Sequence, residues 1–351
     1  MVYILAAILV FGVLIAVHEL GHFLAAKACG VRVNEFSIGM GPLLFHRTKG
    51  ETEYSLRLLP IGGYCMMEGE EEESDDPAAL ENKNFFQKLF IFAAGAGMNF
   101  VTGLLIILLL FADAAAFYTP VISGLAPEFE THEATLMEGD RFYAINGERI
   151  YLYSDVSLFL DRGFGEPYDI TVLRDGEKVF LEDVELKYGE VTSYSGEKYQ
   201  GFGFYFGYEE ATFLNRISYS WYQAMDFVRL VRMSLVDLFT GGASINDLSG
   251  PVGIVSTMTE VGENAETVKD AVGDIAYLAA LIAVNLSVMN LLPLPALDGG
   301  KILFLAVNSV SMLLFKKKVP PKYENYIHTA GLVLLLGLMV VVCFNDIMKL
   351  F

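Results

Sequence analysis

The stretch Ala16-Val17-His18-Glu19-Leu20-Gly21-His22-Phe23 lies inside an apolar run from Tyr3 to Ala28. His18 and His22 are four residues apart, so on a helix they share one face and can present two imidazoles to one metal ion. Glu19 stands beside them as a candidate general base. The same pattern can also occur by chance on the solvated face of a soluble helix. Because His and Glu are costly inside an apolar segment of bilayer length and usually mark function there, the setting favours a metal site.

The composition is that of a membrane protein. The chain has 351 residues and is 54% hydrophobic, which is too apolar for an ordinary soluble domain. Four stretches approach or exceed the ~20 residues needed to cross a bilayer. They are Val2–Lys27, Leu89–Phe111, Ile275–Leu294 and Ile327–Phe344. We therefore predict a polytopic α-helical membrane protein with about four transmembrane helices and the lipid bilayer as a partner. The net charge of -19 would repel nucleic acid, so no nucleic-acid partner is expected.

Basic residues predict the orientation in the membrane. Lys27, Arg32, Arg47 and Lys49 follow the first stretch, and Lys316, Lys317, Lys318 and Lys322 follow the third. By the positive-inside rule both loops are cytoplasmic, so the two termini and the long middle segment are extracytoplasmic. The acidic run Glu68–Asp76 falls in the first of these loops, but acidic residues influence topology little.

The segment Val33–Cys65 is strand-like, with a hairpin turn at Thr48-Lys49-Gly50. This hairpin could be a connector beside the first transmembrane helix. It could also offer an open edge onto which an extended substrate adds as a strand. The pattern leaves both possibilities open.

A second motif, Asn290-Leu291-Leu292-Pro293-Leu294-Pro295-Ala296-Leu297-Asp298-Gly299-Gly300, interrupts the third span. Broken backbone is tolerated in a membrane only where it is buried in protein or lines a wet cavity, so Asp298 is a functional candidate, although it could instead be an interfacial charge. With the predicted topology, His18 lies in the inner half of its helix, roughly 22 Å beyond Tyr3, and Asp298 lies at the cytoplasmic end of its own. The two motifs therefore share one leaflet. Two His and one carboxylate leave a fourth tetrahedral position open, which is typical of a catalytic zinc site.

The remaining segments give four predicted parts, with boundaries at 1–112, 113–195, 196–272 and 273–351. The first contains two membrane helices, the hairpin, and the small-residue stretch Ala93–Asn99, where glycines suggest packing and Asn99 needs a polar partner. The second is an α+β module, whose Gly139–Glu148 segment is PDZ-like. The third holds a helix over Thr212–Phe239 and a loop at Ser249–Ile254, and the fourth holds the last two membrane helices.

The cysteines do not extend the candidate metal site. Cys29, Cys65 and Cys343 form no CxxC pair and are odd in number. Neither a disulfide framework nor a cysteine zinc ligand is therefore expected.

Together these motifs resemble the bacterial branch of the site-2 protease family of intramembrane zinc metallopeptidases. The resemblance rests on the His18–His22 motif, the Asn290–Gly300 motif, the PDZ-like segment and Ser249–Ile254, which span essentially the whole chain. It implies a membrane-associated β-hairpin region and one extracytoplasmic PDZ-like domain. It also implies a multi-pass protein of the bacterial cytoplasmic membrane.

The resemblance further implies site residues and substrates. His18, His22 and Asp298 would bind Zn²⁺, Glu19 would be the catalytic acid/base, and the predicted substrate-binding residues are Asn290, Pro293, Pro295 and Asn99. The expected reaction is cleavage inside the transmembrane segment of a single-span protein, such as an anti-sigma factor or a remnant signal peptide, after a first protease has cut outside. Lys301 stands where His or Arg is frequent in the family, a change expected to be harmless.

Two other interpretations fit parts of this sequence. A membrane zinc protease of another family would use a later Glu as third ligand, whereas this sequence offers Asp298. A catalytically silent membrane adaptor would bind exported peptides through its PDZ-like domain, and loss of Glu19 or Asp298 would have favoured it. Both residues are present.

Overall fold

The computed structural model describes residues 2–70, 74–129, 135–192, 196, 198–244, 246, 248–317 and 319–349. Lys318, three acidic residues of the predicted Glu68–Asp76 run (71–73), and residues 193–195 at the predicted end of the PDZ-like domain lie outside the described residues. The chain forms two compact units, Phe111–Gln223 and the combination of Met1–Leu110 with Ala224–Phe351. The predicted boundary at 195 therefore falls inside the smaller unit.

The larger unit is built from helices. They are α1 Val2–Ala28, α2 Phe85–Leu110, α5 Pro251–Asn264, α6 Val268–Asn290, α7 Asp298–Phe315, α8 Pro321–Lys349 and the second half of α4 Phe213–Thr240. Within the described residues, five helices (α1, α2, α6, α7 and α8) are long and apolar enough to cross a membrane. Four of them overlap the four predicted stretches, and α7 is an additional candidate. On α8, side chains such as Val333 and Leu334 are about two-thirds exposed, at 66% and 68%. Apolar surface of this kind is suited to lipid.

The predicted hairpin is present as two long strands, β1 Val33–Lys49 and β2 Thr52–Met67. Residues 33–38 pair with residues 63–67, and residues 35–38 also pair with residues 53–56. The strands can fold back in this way because Gly39, Gly41 and Gly62 adopt positive φ, which bends the backbone at little steric cost. Residues 63–67 consequently pair on one side only, and no described strand covers their other edge.

The base of this hairpin is fixed to the first two helices by an apolar cluster. Val33, Phe36 and Cys65 pack in it with Ala26 of α1 and Ile91 of α2. Phe23 on α1 adds ring contacts to Phe36, with centroids 5.2 Å apart. This packing places strand residues 63–67 beside the helix that carries His18 and His22.

The segment predicted as a loop, Ser249–Ile254, contains the start of helix α5. Asp346 of α8 is buried and accepts hydrogen bonds through Oδ2 from the backbone N–H groups of Gly250 and Gly253, at 2.9 and 2.8 Å. A Cβ at either glycine would come within 3.0 Å of this carboxylate. Pro251 at the first helical turn and the carboxylate at the N-terminus explain why a helix begins here.

The smaller unit is an α+β module. Its main sheet has the order β10-β3-β4-β6-β7, with β5 paired to β4, and β8 pairs with β9 separately. The strands are β3 Ala116–Leu125, β4 Arg141–Ile145, β5 Glu148–Arg149, β6 Tyr168–Arg174, β7 Glu177–Val184, β8 Gly189–Thr192, β9 Lys198–Gly201 and β10 Phe204–Glu210, with helix α3 Tyr153–Arg162 between β5 and β6. Asp175 and Gly176 form the turn between β6 and β7, and both residues have positive φ.

Candidate active site

Three predicted ligands from distant parts of the sequence meet in the larger unit. His18 and His22 lie on α1, and Asp298 is the first residue of α7. The Oδ2 atom of Asp298 lies 3.2 Å from Nε2 of His18 and 3.2 Å from Nε2 of His22. The two Nε2 atoms are themselves 3.2 Å apart. These residues form a group that could hold a metal ion.

The triangle of ligand atoms can be compared with the needs of zinc. Tetrahedral ligands at about 2.0–2.1 Å from Zn²⁺ lie about 3.3–3.4 Å from one another. All three observed separations, 3.2 Å each, are close to this value. Two imidazole nitrogens and one carboxylate oxygen also match the donor set of catalytic zinc sites, which leave one position open. The residues present therefore fit the metal.

Buried partners orient both imidazoles. Nδ1 of His22 is 2.8 Å from the backbone carbonyl of Ile91. Because a carbonyl only accepts, Nδ1 carries the proton and Nε2 presents its lone pair to the centre of the triangle. Asn99 on α2 is 1% exposed, and its Nδ2 lies 3.5 Å from Nδ1 of His18.

The amide of Asn99 also has an unsatisfied atom. Its Oδ1 is buried without a hydrogen-bond partner among the described residues. Half a turn of the amide brings Oδ1 to Nδ1 of His18, where it accepts the proton that Nδ1 carries when Nε2 faces a metal. Asn99 lies behind His18 and does not line the cavity described below, so its position favours orienting a ligand over contacting substrate.

Two glycines let α1 and α2 approach closely at the site. A Cβ at Gly95 would lie 2.3 Å from Nε2 of His22 and 2.7 Å from Cε1 of His18. A Cβ at Gly21 would lie 2.4 Å from the carbonyl oxygen of Ala94. The backbone of α2 therefore passes directly against the two imidazoles, and only glycine fits at these positions.

A tight turn between α6 and α7 delivers Asp298. Added Cβ atoms at Gly299 and Gly300 would clash with the carbonyl oxygens of Leu292 and Leu294, at 2.2 and 2.3 Å. Ala296 has φ +70°, an unfavourable conformation for alanine, and its N–H donates to Nδ1 of His328 at 2.9 Å. The turn is thus held by contacts to α8 as well as by its own glycines.

A cavity of about 610 Å³ opens beside the ligands. Its wall includes Glu19, the three candidate ligands, Phe92, Lys301 and the strand residues Tyr64–Met67. Gly63 lies beside Glu19, since a Cβ there would be in ordinary contact with Cγ of Glu19 at 3.4 Å. Burial raises the pKa of the Cys65 thiol to about 12, so this cysteine stays protonated near neutral pH. Because Tyr64–Met67 belong to the cavity wall, the unpaired edge of residues 63–67 lies along the site.

An ion pair crosses the wall of the cavity. Nζ of Lys301 on α7 is 2.6 Å from Oε1 of Glu70, which follows β2. The pair connects the start of the helix that carries Asp298 to the end of the hairpin. Lys301 is therefore part of the site. The sequence analysis expects only that lysine is a harmless change at this position, and it assigns Lys301 no role.

The other predicted substrate-binding residues lie near Asp298 but outside the cavity wall. Asn290 is the last residue of α6, and Pro293 and Pro295 lie in the turn that leads to α7. None of the three lines the cavity. The sequence analysis missed Gly95 as a residue beside both imidazoles, because the small residues around it indicate helix packing.

Comparison with known proteins identifies the family. The model of peptidase family M50 matches residues 6–338. The chain belongs to peptidase family M50. It is 36% identical over 346 residues to a provisionally named zinc metalloprotease of Clostridium perfringens, covering 98% of each chain. It is 30% identical to zinc metalloprotease RasP of Geobacillus kaustophilus, covering 99% of this chain and 98% of that one.

The name of a third relative includes a regulatory role. The regulator of sigma-W protease RasP of Bacillus subtilis is 27% identical, with 99% of each chain covered. The M50 peptidase described here is an intramembrane zinc metalloprotease of the site-2 protease type, located as a multi-pass protein in the inner (cytoplasmic) membrane. The silent-adaptor alternative is not favoured.

Proposed function

We propose that this M50 peptidase cleaves single-span membrane proteins within their transmembrane segments, with His18, His22 and Asp298 as zinc ligands and Glu19 as the acid/base. The observation that carries the proposal is the triangle of ligand atoms with three equal sides of 3.2 Å, next to a cavity that Glu19 also lines. Bound there, Zn²⁺ supplies Lewis acidity toward a peptide carbonyl and lowers the pKa of water. Glu19 takes a proton from the attacking water and delivers it to the leaving amide nitrogen.

The substrate must lose its helical structure before it can be cut. A transmembrane helix ties each carbonyl into an intrahelical hydrogen bond, which hides the scissile bond. Residues 64–67 line the cavity, and the unpaired edge to which they belong can receive an unwound segment as an added strand. Of the two possibilities left open for the hairpin, this placement supports the substrate edge. Asn290, Pro293 and Pro295 lie at the turn that leads to Asp298 and, by family resemblance, help to hold the segment.

The name of one relative supports the substrate type that we propose. The Bacillus subtilis relative is named for regulating sigma-W, so anti-sigma factors are the substrate type we propose, and remnant signal peptides are a second type with the same single-span form. In both types one apolar segment crosses the membrane once, which suits a site set among membrane helices.

We propose four membrane crossings with both termini and the PDZ-like unit outside. In this arrangement α7 does not recross the membrane, since Asp298 at its start shares the leaflet of His18 and Lys316 and Lys317 near its end are basic residues of a cytoplasmic loop. It has the lowest hydropathy of the five candidate spans, at 1.3. The proposed extracytoplasmic unit corresponds to residues 113–195 together with two later strands. These are β9, which pairs with β8, and β10, which pairs with β3.

Two variants test metal binding and catalysis separately. Glu19→Gln keeps all three ligands, so zinc content should stay at one per chain while cleavage of a single-span substrate falls by orders of magnitude. Asp298→Ala should lower both zinc affinity and cleavage. Zinc content is measured by mass spectrometry of the purified protein. Cleavage is measured by reconstituting protein and substrate in liposomes and separating the products by gel electrophoresis. Native zinc affinity in Asp298→Ala, or native cleavage by Glu19→Gln, would refute the assigned roles.

A further inference from the structure

The smaller unit contains a cleft that is separate from the peptidase site. It has a volume of about 380 Å³ and is formed by the α3–β6 connection, the β7–β8 connection and Phe202. We call it the aromatic cleft and define it by Phe164, Glu166, Tyr168, Glu185, Tyr188 and Phe202. A cavity of this size is at the low end for small-molecule pockets and suits one or two side chains.

Four aromatic rings give the cleft a fixed shape. The rings of Tyr188 and Phe202 meet edge to face at 5.0 Å, and those of Phe164 and Tyr188 at 4.9 Å. Tyr168 is buried, and its hydroxyl donates to the backbone carbonyl of Leu160 at 2.8 Å. Tyr168 and Phe202 therefore form a rigid floor, while Phe164 and Tyr188 are 60% and 41% exposed. Large exposed rings at one place indicate a binding surface more often than a folding requirement.

Carboxylates lie at the same place. Glu166 and Glu185 line the cleft, and both are exposed. The surrounding segments 161–169 and 182–188 contain six acidic and two basic residues, and residues 111–223 as a whole contain twenty acidic and eight basic residues. The net charge around the cleft is therefore negative, which favours cationic ligands and disfavours acidic ones.

We propose that the aromatic cleft binds lysine or arginine side chains of a polypeptide segment. Ring faces and carboxylates together favour a cationic group with an apolar stem, because the rings attract the charge and pack against the methylene groups. The site is independent of the zinc ligands, so it would select or retain basic segments of proteins without taking part in hydrolysis.

The test uses the full chain in nanodiscs and short fluorescent peptides. One peptide carries several lysines, and a matched peptide carries glutamine in their place. Fluorescence anisotropy should show tighter binding of the lysine peptide. The double variant Phe164→Ala with Tyr188→Ala should weaken its binding about three- to thirtyfold. Glu166→Gln with Glu185→Gln should weaken it at low salt and reduce the salt dependence.

Phe180→Ala is the matched control, because Phe180 is a similarly exposed ring (61%) on β7 of the same unit but does not line the cleft. It should bind the lysine peptide as the native chain does. Equal binding of the lysine and glutamine peptides would overturn the proposal, as would equal weakening by Phe180→Ala. Zinc content and substrate cleavage are read in parallel, so a failure of cation binding is distinguishable from a failure of the peptidase assignment.

Discussion

Gly95 is the position where one added carbon should damage the metal site most selectively. In Gly95→Ala the new Cβ would stand 2.3 Å from Nε2 of His22, an atom assigned as a zinc ligand. Gly97 lies two residues further along the same helix, and a Cβ there would meet nothing within 4 Å. The two substitutions are chemically identical, and alanine favours a helix over glycine by about 1 kcal/mol at either position.

The size of the effect follows from the contact distance. The added Cβ would be 2.3 Å from Nε2 of His22, whereas an ordinary contact is about 3.4 Å. The imidazole or the helix must therefore move by about 1 Å. Metal–ligand distances tolerate only about 0.2 Å. Loss of ligand positioning typically lowers metal affinity by about ten- to a hundredfold, and overpacking of this kind costs about 1–3 kcal/mol of stability. Gly97→Ala should keep native affinity and native or slightly higher stability.

Zinc affinity is measured by competition with a chromogenic chelator, and folding by thermal unfolding in the same detergent. Gly95→Ala should stay folded, lose zinc at a lower chelator concentration, and cleave substrate slowly, with partial recovery at high zinc. The reasoning is wrong if Gly95→Ala retains zinc as tightly as Gly97→Ala. It is also wrong if both variants lose zinc equally, since the damage would then not arise from contact with the imidazoles.

Three further substitutions test other parts of the account. Asn99→Leu should weaken zinc binding about tenfold or more while Asn99→Asp, which keeps an acceptor for His18, retains most of it; equal affinities in chelator competition would exclude the orienting role. Asp346→Ala removes the acceptor for two backbone N–H groups at the start of α5, so it should lower the free energy of unfolding by about 2 kcal/mol or more. An unchanged midpoint of thermal unfolding would contradict this. Lys301→Met leaves the Glu70 carboxylate unpaired and should reduce cleavage, and adding Glu70→Gln should restore part of it; additive losses in the double variant would show that the pair is not coupled.

The grouping of His18, His22 and Asp298 could be predicted from sequence because each part carries a strong local signal. His18 and His22 share a helix face by spacing alone, and Asp298 stands beside a break that a membrane helix tolerates only in protected surroundings. The predicted topology puts the two motifs at one depth in the membrane. In the structure their ligand atoms are 3.2 Å apart.

What the sequence could not supply depends on contacts between distant segments. The carbonyl of Ile91 has no side-chain signature, and its role follows only from how α2 packs against α1. The sequence predicts a loop at Ser249–Ile254, and the glycines of this segment disfavour a helix in isolation. Asp346, almost a hundred residues later, supplies the acceptor that offsets this preference.

The double pairing of the hairpin was likewise beyond a local pattern. Alternating residues predict strands and a turn, but not that residues 35–38 contact both residues 53–56 and residues 63–66. That arrangement depends on bends at Gly39 and Gly62, whose positive φ values cannot be read from the sequence. The same limit applies to α7, whose apolar composition alone does not decide whether it crosses the membrane.

The most direct measurement is the position of the cut. The zinc-loaded chain is reconstituted with a single-span substrate, and both products are weighed by intact-mass spectrometry, with Glu19→Gln as the matched control. We expect two products whose new ends fall inside the transmembrane segment. The native chain should form them, and Glu19→Gln at equal zinc content should not. Product ends in the water-exposed flanks, or the same products from Glu19→Gln, would contradict it.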